Sequence, residues 1–139
     1  MTSNQMEQWL HPVLPNFLVL HDDRPDNLLQ RTSALHLAGT IDLECVVSLF
    51  LHFTVHARIT DEPGFLSLDS AGSFSIPIYS TSERLLSAEG SCNWYACTGF
   101  EMICQIPRTH SVIIDWWSPT ELEIPPSAFV VSDIHPDDL

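Results

Sequence analysis

His52 and His56 stand four residues apart, the first pair in this sequence whose spacing suggests chemistry. On a helix they would share a face within reach of one metal ion. On a strand they still share a face, but at ~3.3 Å per residue their backbones lie about 13 Å apart. Phe53, Val55, Ala57 and Ile59 alternate with Thr54, His56, Arg58 and Thr60. That period predicts a strand with one apolar and one polar face, so the histidines are expected on the polar face rather than around zinc. Cys92, Cys97 and His110 match no standard zinc spacing, and His135 has no local partner. No Gly-x-Ser-x-Gly elbow occurs, and the five glycines, at 39, 64, 72, 90 and 99, form no phosphate-cradling loop. No catalytic residue, metal or cofactor is assigned.

A second group suggests recognition instead of reaction. Trp94, Tyr95, Trp116 and Trp117 are large aromatics, and Asp115, Glu121 and Glu123 surround the tryptophan pair. On an extended backbone Trp116 and Trp117 point to opposite faces, so one is expected inside and the other exposed. An exposed indole ringed by acids has the composition of an interface anchor with electrostatic steering. The plainer reading buries both rings in a thick loop. Glu83 is expected in a capping box, and Arg84 beside an acidic neighbour.

Charge supports the recognition reading. The chain has 18 Asp and Glu against 5 basic residues, all arginine, for a net charge of -13. That disfavours nucleic acid and anionic membranes, which are bound through Lys and Arg, and it favours a basic protein partner. Solubility alone is the plainer explanation. Apolar content is 45 %, ordinary for a folded domain. The run from Val46 to Val55 is interrupted by Ser48, His52 and Thr54, too short and polar to span a bilayer. No basic region followed by an apolar block opens the sequence, so a cytoplasmic location is expected. Cys45 and Cys104 are expected in apolar surroundings, and a Cys92–Cys97 disulfide is conceivable.

The elements that must position these residues follow from period and punctuation. Residues 1–38 read as a helical lead-in, 39–134 as an α+β core and 135–139 as a mobile acidic tail, together one domain. Asp26 is expected to cap a helix that Gly39 ends, and Thr40 to cap the next. Residues 53–79 read as a three-strand meander with a turn at Asp61–Gly64. The last of these strands, 74–79, contains Pro77. It is expected at a sheet edge, or with the proline's missing N–H turned outward. Ser80 or Thr81 caps a helix over 80–88 that Gly90 follows; a polar loop then holds Cys92 to Tyr95, and a short helix holds Phe100, Ile103 and Cys104. Val112–Ile114 is the most apolar strand, expected in the centre, and Ala128–Ser132 is expected as a last edge strand.

The run Ile78-Tyr79-Ser80-Thr81-Ser82-Glu83-Arg84-Leu85, a loop Trp94, and the strand Val112-Ile113-Ile114 entering Asp115-Trp116-Trp117-Ser118 resemble the N-terminal domain of the SseB family. Where that family has Asn-Pro-Gly after the strand, this chain has Asp-Trp-Trp. The resemblance, from about Phe53 to Ile134, implies an α+β domain with a mixed or antiparallel sheet flanked by helices. It implies an interaction domain without a catalytic centre, from a group that includes bacterial immunity and secretion-associated proteins. The expectation is an immunity protein that covers a basic toxin's active site, with Trp116, Trp117, Asp115, Glu121, Glu123, Trp94 and Tyr95 in the contact. A secretion accessory protein or chaperone is the alternative, and a small metal-dependent enzyme or regulator the third.

Overall fold

Helix α1, Leu28–Leu37, opens at Asn27 and not at Asp26. The computed structural model describes residues 17–60 and 64–130, at Val130 the backbone alone. The N-terminal lead-in before Phe17, most of the Asp61–Gly64 turn and the acidic tail lie outside the described residues. A cap needs an extended backbone, which Asn27 has; Asp26 is left-handed at φ 57°. The Asn27 side chain accepts the Gln30 N–H at 3.0 Å and donates to Ser80 O at 3.1 Å, tying α1 to a segment far along the chain. Helix α2, Leu43–His52, starts at Asp42 rather than Thr40, whose N–H instead closes the end of α1 on Leu35 O.

The strands are β1 Thr54–Arg58, β2 Leu68–Ser70, β3 Ser73–Ile78, β4 Trp94–Thr98, β5 Ser111–Ile114 and β6 Leu122–Ile124. Helices α3 (Ser82–Glu89), α4 (Gly99–Gln105) and α5 (Pro126–Val130) complete the set. This is an α+β fold with a mixed sheet: β2-β3-β5-β6 run in that order, with β3 and β5 parallel and the other pairs antiparallel. The expected meander is corrected. The long partner of β1 is β4, in antiparallel register from Thr54↔Thr98 to Arg58↔Trp94. The other edge of β1 is stitched to three separate segments. Thr54 N–H reaches Leu20 O, Leu66 N–H reaches Arg58 O, and His56 and Tyr79 exchange both bonds at 2.8 and 2.9 Å. That last bridge joins the two sheets.

β3 is therefore interior, and Pro77 is not on an edge strand. Pro77 falls between Ser75, where β2 pairing stops, and Tyr79, where the bridge to β1 begins, so its missing donor leaves no ladder bond unmade. Trp94 and Tyr95, expected in a loop, open β4, and residues 128–130, expected to begin an edge strand, lie in α5, which starts at Pro126. β6 is the edge instead.

One cluster holds the core. Val55, Ala57, Ile76, Ile78, Val112, Ile114 and Ile124 of the two sheets share it with Val46, Val47, Phe50 and Leu51 of α2 and Phe100, Met102 and Ile103 of α4. Gly99 lets α4 approach α2: a Cβ there would stand 2.2 Å from Phe50 O. The opposite face of β1 is not a solvent face. Thr54 and His56 are buried, and Arg58 pairs with Glu89 of α3 at 3.3 Å. Cys45 and Cys104 are exposed and Cys97 is the buried thiol, reversing the expected placement; all four cysteines are free. Among the described residues no helix is long and apolar enough to cross a membrane.

Candidate partner-binding site

The site is the turn that leaves β5. Val112 and Ile114 are fully buried, and the next residue, Asp115, is equally buried at 0 % exposure. A carboxylate there needs partners, because an isolated buried charge costs several kcal/mol. It has three. Ser80 N–H and Ser80 Oγ donate to its two oxygens at 2.7 Å each, and Arg84 Nη1 donates at 2.7 Å. Arg84 also donates to Thr120 Oγ1 at 2.8 Å and to Ser118 Oγ at 3.3 Å. The N-terminus of α3 is thereby bonded to both ends of the turn.

The turn is tight. Asp115 and Trp117 both have left-handed backbones, at φ 54° and 67°. Such a conformation is unfavourable for a bulky residue and persists only where the surroundings impose it. Here the imposing bonds are visible: Ser118 N–H to Asp115 O, Glu121 N–H to Ser118 O, and Trp117 N–H to Glu121 Oε1 at 3.0 Å. The two indoles do not point to opposite faces, since the backbone is a turn and not extended. Their centroids are 5.2 Å apart at 47°, with Trp116 half-buried and Trp117 75 % exposed. Trp117 is the most exposed of the large apolar side chains among the described residues.

Acids gather on the segments bonded to this turn. Ser82 N–H and Ser82 Oγ donate to Asp23 at 2.7 and 2.6 Å, holding the 21–27 loop against the start of α3. Burial pushes the Asp23 carboxyl up, but the two Ser82 bonds together with the charges of His56 and His21 hold it below its ordinary value. Exposed Asp26, Glu83 and Glu121 thus lie on three segments tied together by Asn27–Ser80, Ser82–Asp23 and Arg84–Asp115 bonds.

The expected contact residues do not all meet. Trp116, Trp117 and Glu121 share the turn. Asp115 lies beneath it, fully buried, so it holds the turn and offers a partner no surface. Glu123 faces along the sheet, where it accepts from Ser111 Oγ at 2.8 Å. Trp94 and Tyr95 are on β4, with β1 and β3 between them and the turn. Trp94 packs against His56 at 5.4 Å, and Tyr95 against Phe65 at 6.4 Å. Among the described residues no ring contact joins them to Trp116 or Trp117. Arg84 pairs with an acid as expected. Ser80, Ser118 and Thr120 were not anticipated; the sequence signal for them was an acid continuing an apolar strand, which needs donors nearby.

The histidines are separately engaged. His52 stacks on Phe17 at 4.4 Å and its Nδ1 lies 2.8 Å from Leu18 O, whereas His56 is buried beside Tyr79 O. Among the described residues no group of three or more His, Cys, Asp or Glu is placed to hold a metal ion. A shallow concavity of roughly 470 Å³ is lined by Arg58, Ile59, Thr60, Ser91, Cys92 and Asn93. No family model, curated protein or solved structure matches the chain.

Proposed function

We propose that this chain is a non-enzymatic, cytoplasmic, bacterial protein-binding domain of the immunity type, which silences a basic toxin by covering its active site. The observation that carries the reading is Trp117, three-quarters exposed on a turn fixed by a buried carboxylate. Evolving a strained, hydrogen-bonded support for an indole left in water is hard to rationalise by stability. A rigid aromatic has little entropy left to lose on association, which is what makes an anchor effective. The surrounding acids and the charge of -13 suit a basic surface. The SseB resemblance rests on its motif residues alone and adds only context.

The test is affinity for the partner recovered from the native host. Trp117→Ala should weaken binding by more than ~2 kcal/mol, about 30-fold. An unchanged dissociation constant removes Trp117 from the contact and the reading with it. A second reading, a secretion accessory protein or chaperone, has its own support. Helix α1 buries Leu29, Gln30 and Ser33 and turns Leu28 and Leu35, seven residues apart on one face, outward, an apolar stripe for holding a client. Loss of the partner's activity in the complex favours the first reading, and retained activity the second.

A further inference from the structure

We propose that the Trp117–Glu121 corner is an arginine-recognition site, in which a guanidinium lies on the free face of the Trp117 indole and donates to the Glu121 carboxylate. This rests on the protein-binding reading and names the group that the corner takes from a partner. Trp116 supports one side of the Trp117 ring at 5.2 Å, and the remainder is open to solvent. Glu121 is exposed, and its Oε1 accepts the Trp117 N–H at 3.0 Å, so carboxylate and indole are fixed to the same residue's backbone and side chain. Among the described residues nothing donates to Glu121 Oε2, which leaves it available as an acceptor.

The chemistry decides among possible occupants. An aliphatic side chain on the indole would gain contact area but would strip water from the Glu121 carboxylate without replacing its bonds. An anion is repelled by the carboxylate and by a chain of net charge -13. A cation satisfies both groups, through the ring quadrupole and through a charge-assisted hydrogen bond. Arginine fits better than lysine because its planar guanidinium stacks on an indole while its edge donates N–H groups in its own plane, parallel to the ring, and because it is more weakly hydrated.

The test uses the whole protein and a short acetylated, amidated peptide containing two arginines, beside the same peptide with citrulline at both positions. Citrulline keeps the shape and loses the charge. The readout is the indole N–H resonance of each tryptophan, with Trp9 and Trp94 as internal controls. The Trp117 signal should move saturably with the arginine peptide and little with the citrulline one. Glu121→Gln should weaken the arginine peptide about threefold or more, and Trp117→Leu about as much. Glu121→Gln keeps an oxygen for the Trp117 N–H, and an undisturbed Trp94 signal confirms that each variant is folded.

Equal movement of all four indoles means diffuse charge attraction and overturns the proposal. So does a citrulline peptide that moves Trp117 as far as arginine does. The peptide titration needs no natural partner, so it separates the two ideas. A Trp117 response without any host partner leaves the site standing and removes the immunity reading. A host partner that needs Trp117 but carries no arginine at the contact does the reverse.

Discussion

Asp115→Asn changes one charge and almost no shape, at the point on which the site depends. The native carboxylate accepts Ser80 N–H on Oδ1 and accepts Ser80 Oγ and Arg84 Nη1 on Oδ2, each at 2.7 Å. An amide has one oxygen. With it at the Oδ1 position, the NH₂ group faces the Arg84 guanidinium; flipped, it faces Ser80 N–H. Either way donor meets donor and a charge-assisted bond is lost, at about 1.5–3 kcal/mol, with further loss from the broken ion pair. The Arg84 side chain is 28 % exposed, so water recovers part of this, and the expected cost is about 2–3 kcal/mol. The backbone does not confound the comparison, since Asn accepts the left-handed conformation at position 115 as readily as Asp. Urea unfolding followed by circular dichroism reads the loss directly. Arg84→Met completes a double-mutant cycle, and the Asp115→Asn, Arg84→Met variant should be more stable than the two separate losses add up to. A cost below about 1 kcal/mol, or strict additivity, would refute the view that this buried pair holds the turn.

Three further outcomes are expected. Gly99→Ala should cost more than ~2 kcal/mol in the same assay, because its Cβ meets the Phe50 carbonyl at 2.2 Å and backbone must move; wild-type stability would contradict that packing. Burial holds the His56 imidazole below its ordinary value of 6.5, with Asp23 and Asp115 opposing and His21 assisting. Tyr79 O, 3.4 Å from Nδ1, also opposes the shift, and Trp94 packs against the ring. The unfolded chain takes up this proton first, so wild type should lose stability as pH falls below 6.5, and His56→Asn should flatten the slope; parallel curves would refute it. Burial raises the Glu101 carboxyl above its ordinary 4.5, only partly offset by the Tyr95 hydroxyl. Its contribution is present below 4.5 and lost as pH rises through the folded value. Glu101→Gln should therefore be more stable than wild type at pH 7, with the gap closing near pH 4; no gap at pH 7 would overturn the assignment.

Local signals carried furthest in the sequence. The apolar run at Val112–Ile114 is an interior strand. Thr81 caps α3 by accepting the Arg84 N–H at 3.1 Å, one residue later than a Ser80 box would have it. Pairing was not legible, because it is set by contacts distant in sequence. Nothing near residue 54 announces that β1 pairs with β4 rather than with the strand that follows. Two errors had readable signals. Trp94-Tyr95-Ala96-Cys97-Thr98 contains β-formers that a neighbouring Asn and Cys obscured. Pro126 opens α5 at the first helical position, where a proline costs nothing. In the candidate site, the composition pointed to Trp117 and Glu121. Asp115 was misread as surface because an acid beside two tryptophans looks solvated until Ser80 and Arg84, more than thirty residues earlier, are placed against it.

The central claim is that Trp117 anchors a protein partner. Its most direct test is a pair of tagged pull-downs from the native host at low salt, one with the wild-type chain and one with Trp117→Ala, the retained proteins being quantified by mass spectrometry. The expected result is one stoichiometric partner with the wild type, weakened by added salt and lost with Trp117→Ala. A partner held equally by both chains, or none under conditions that trap nanomolar complexes, would contradict the account.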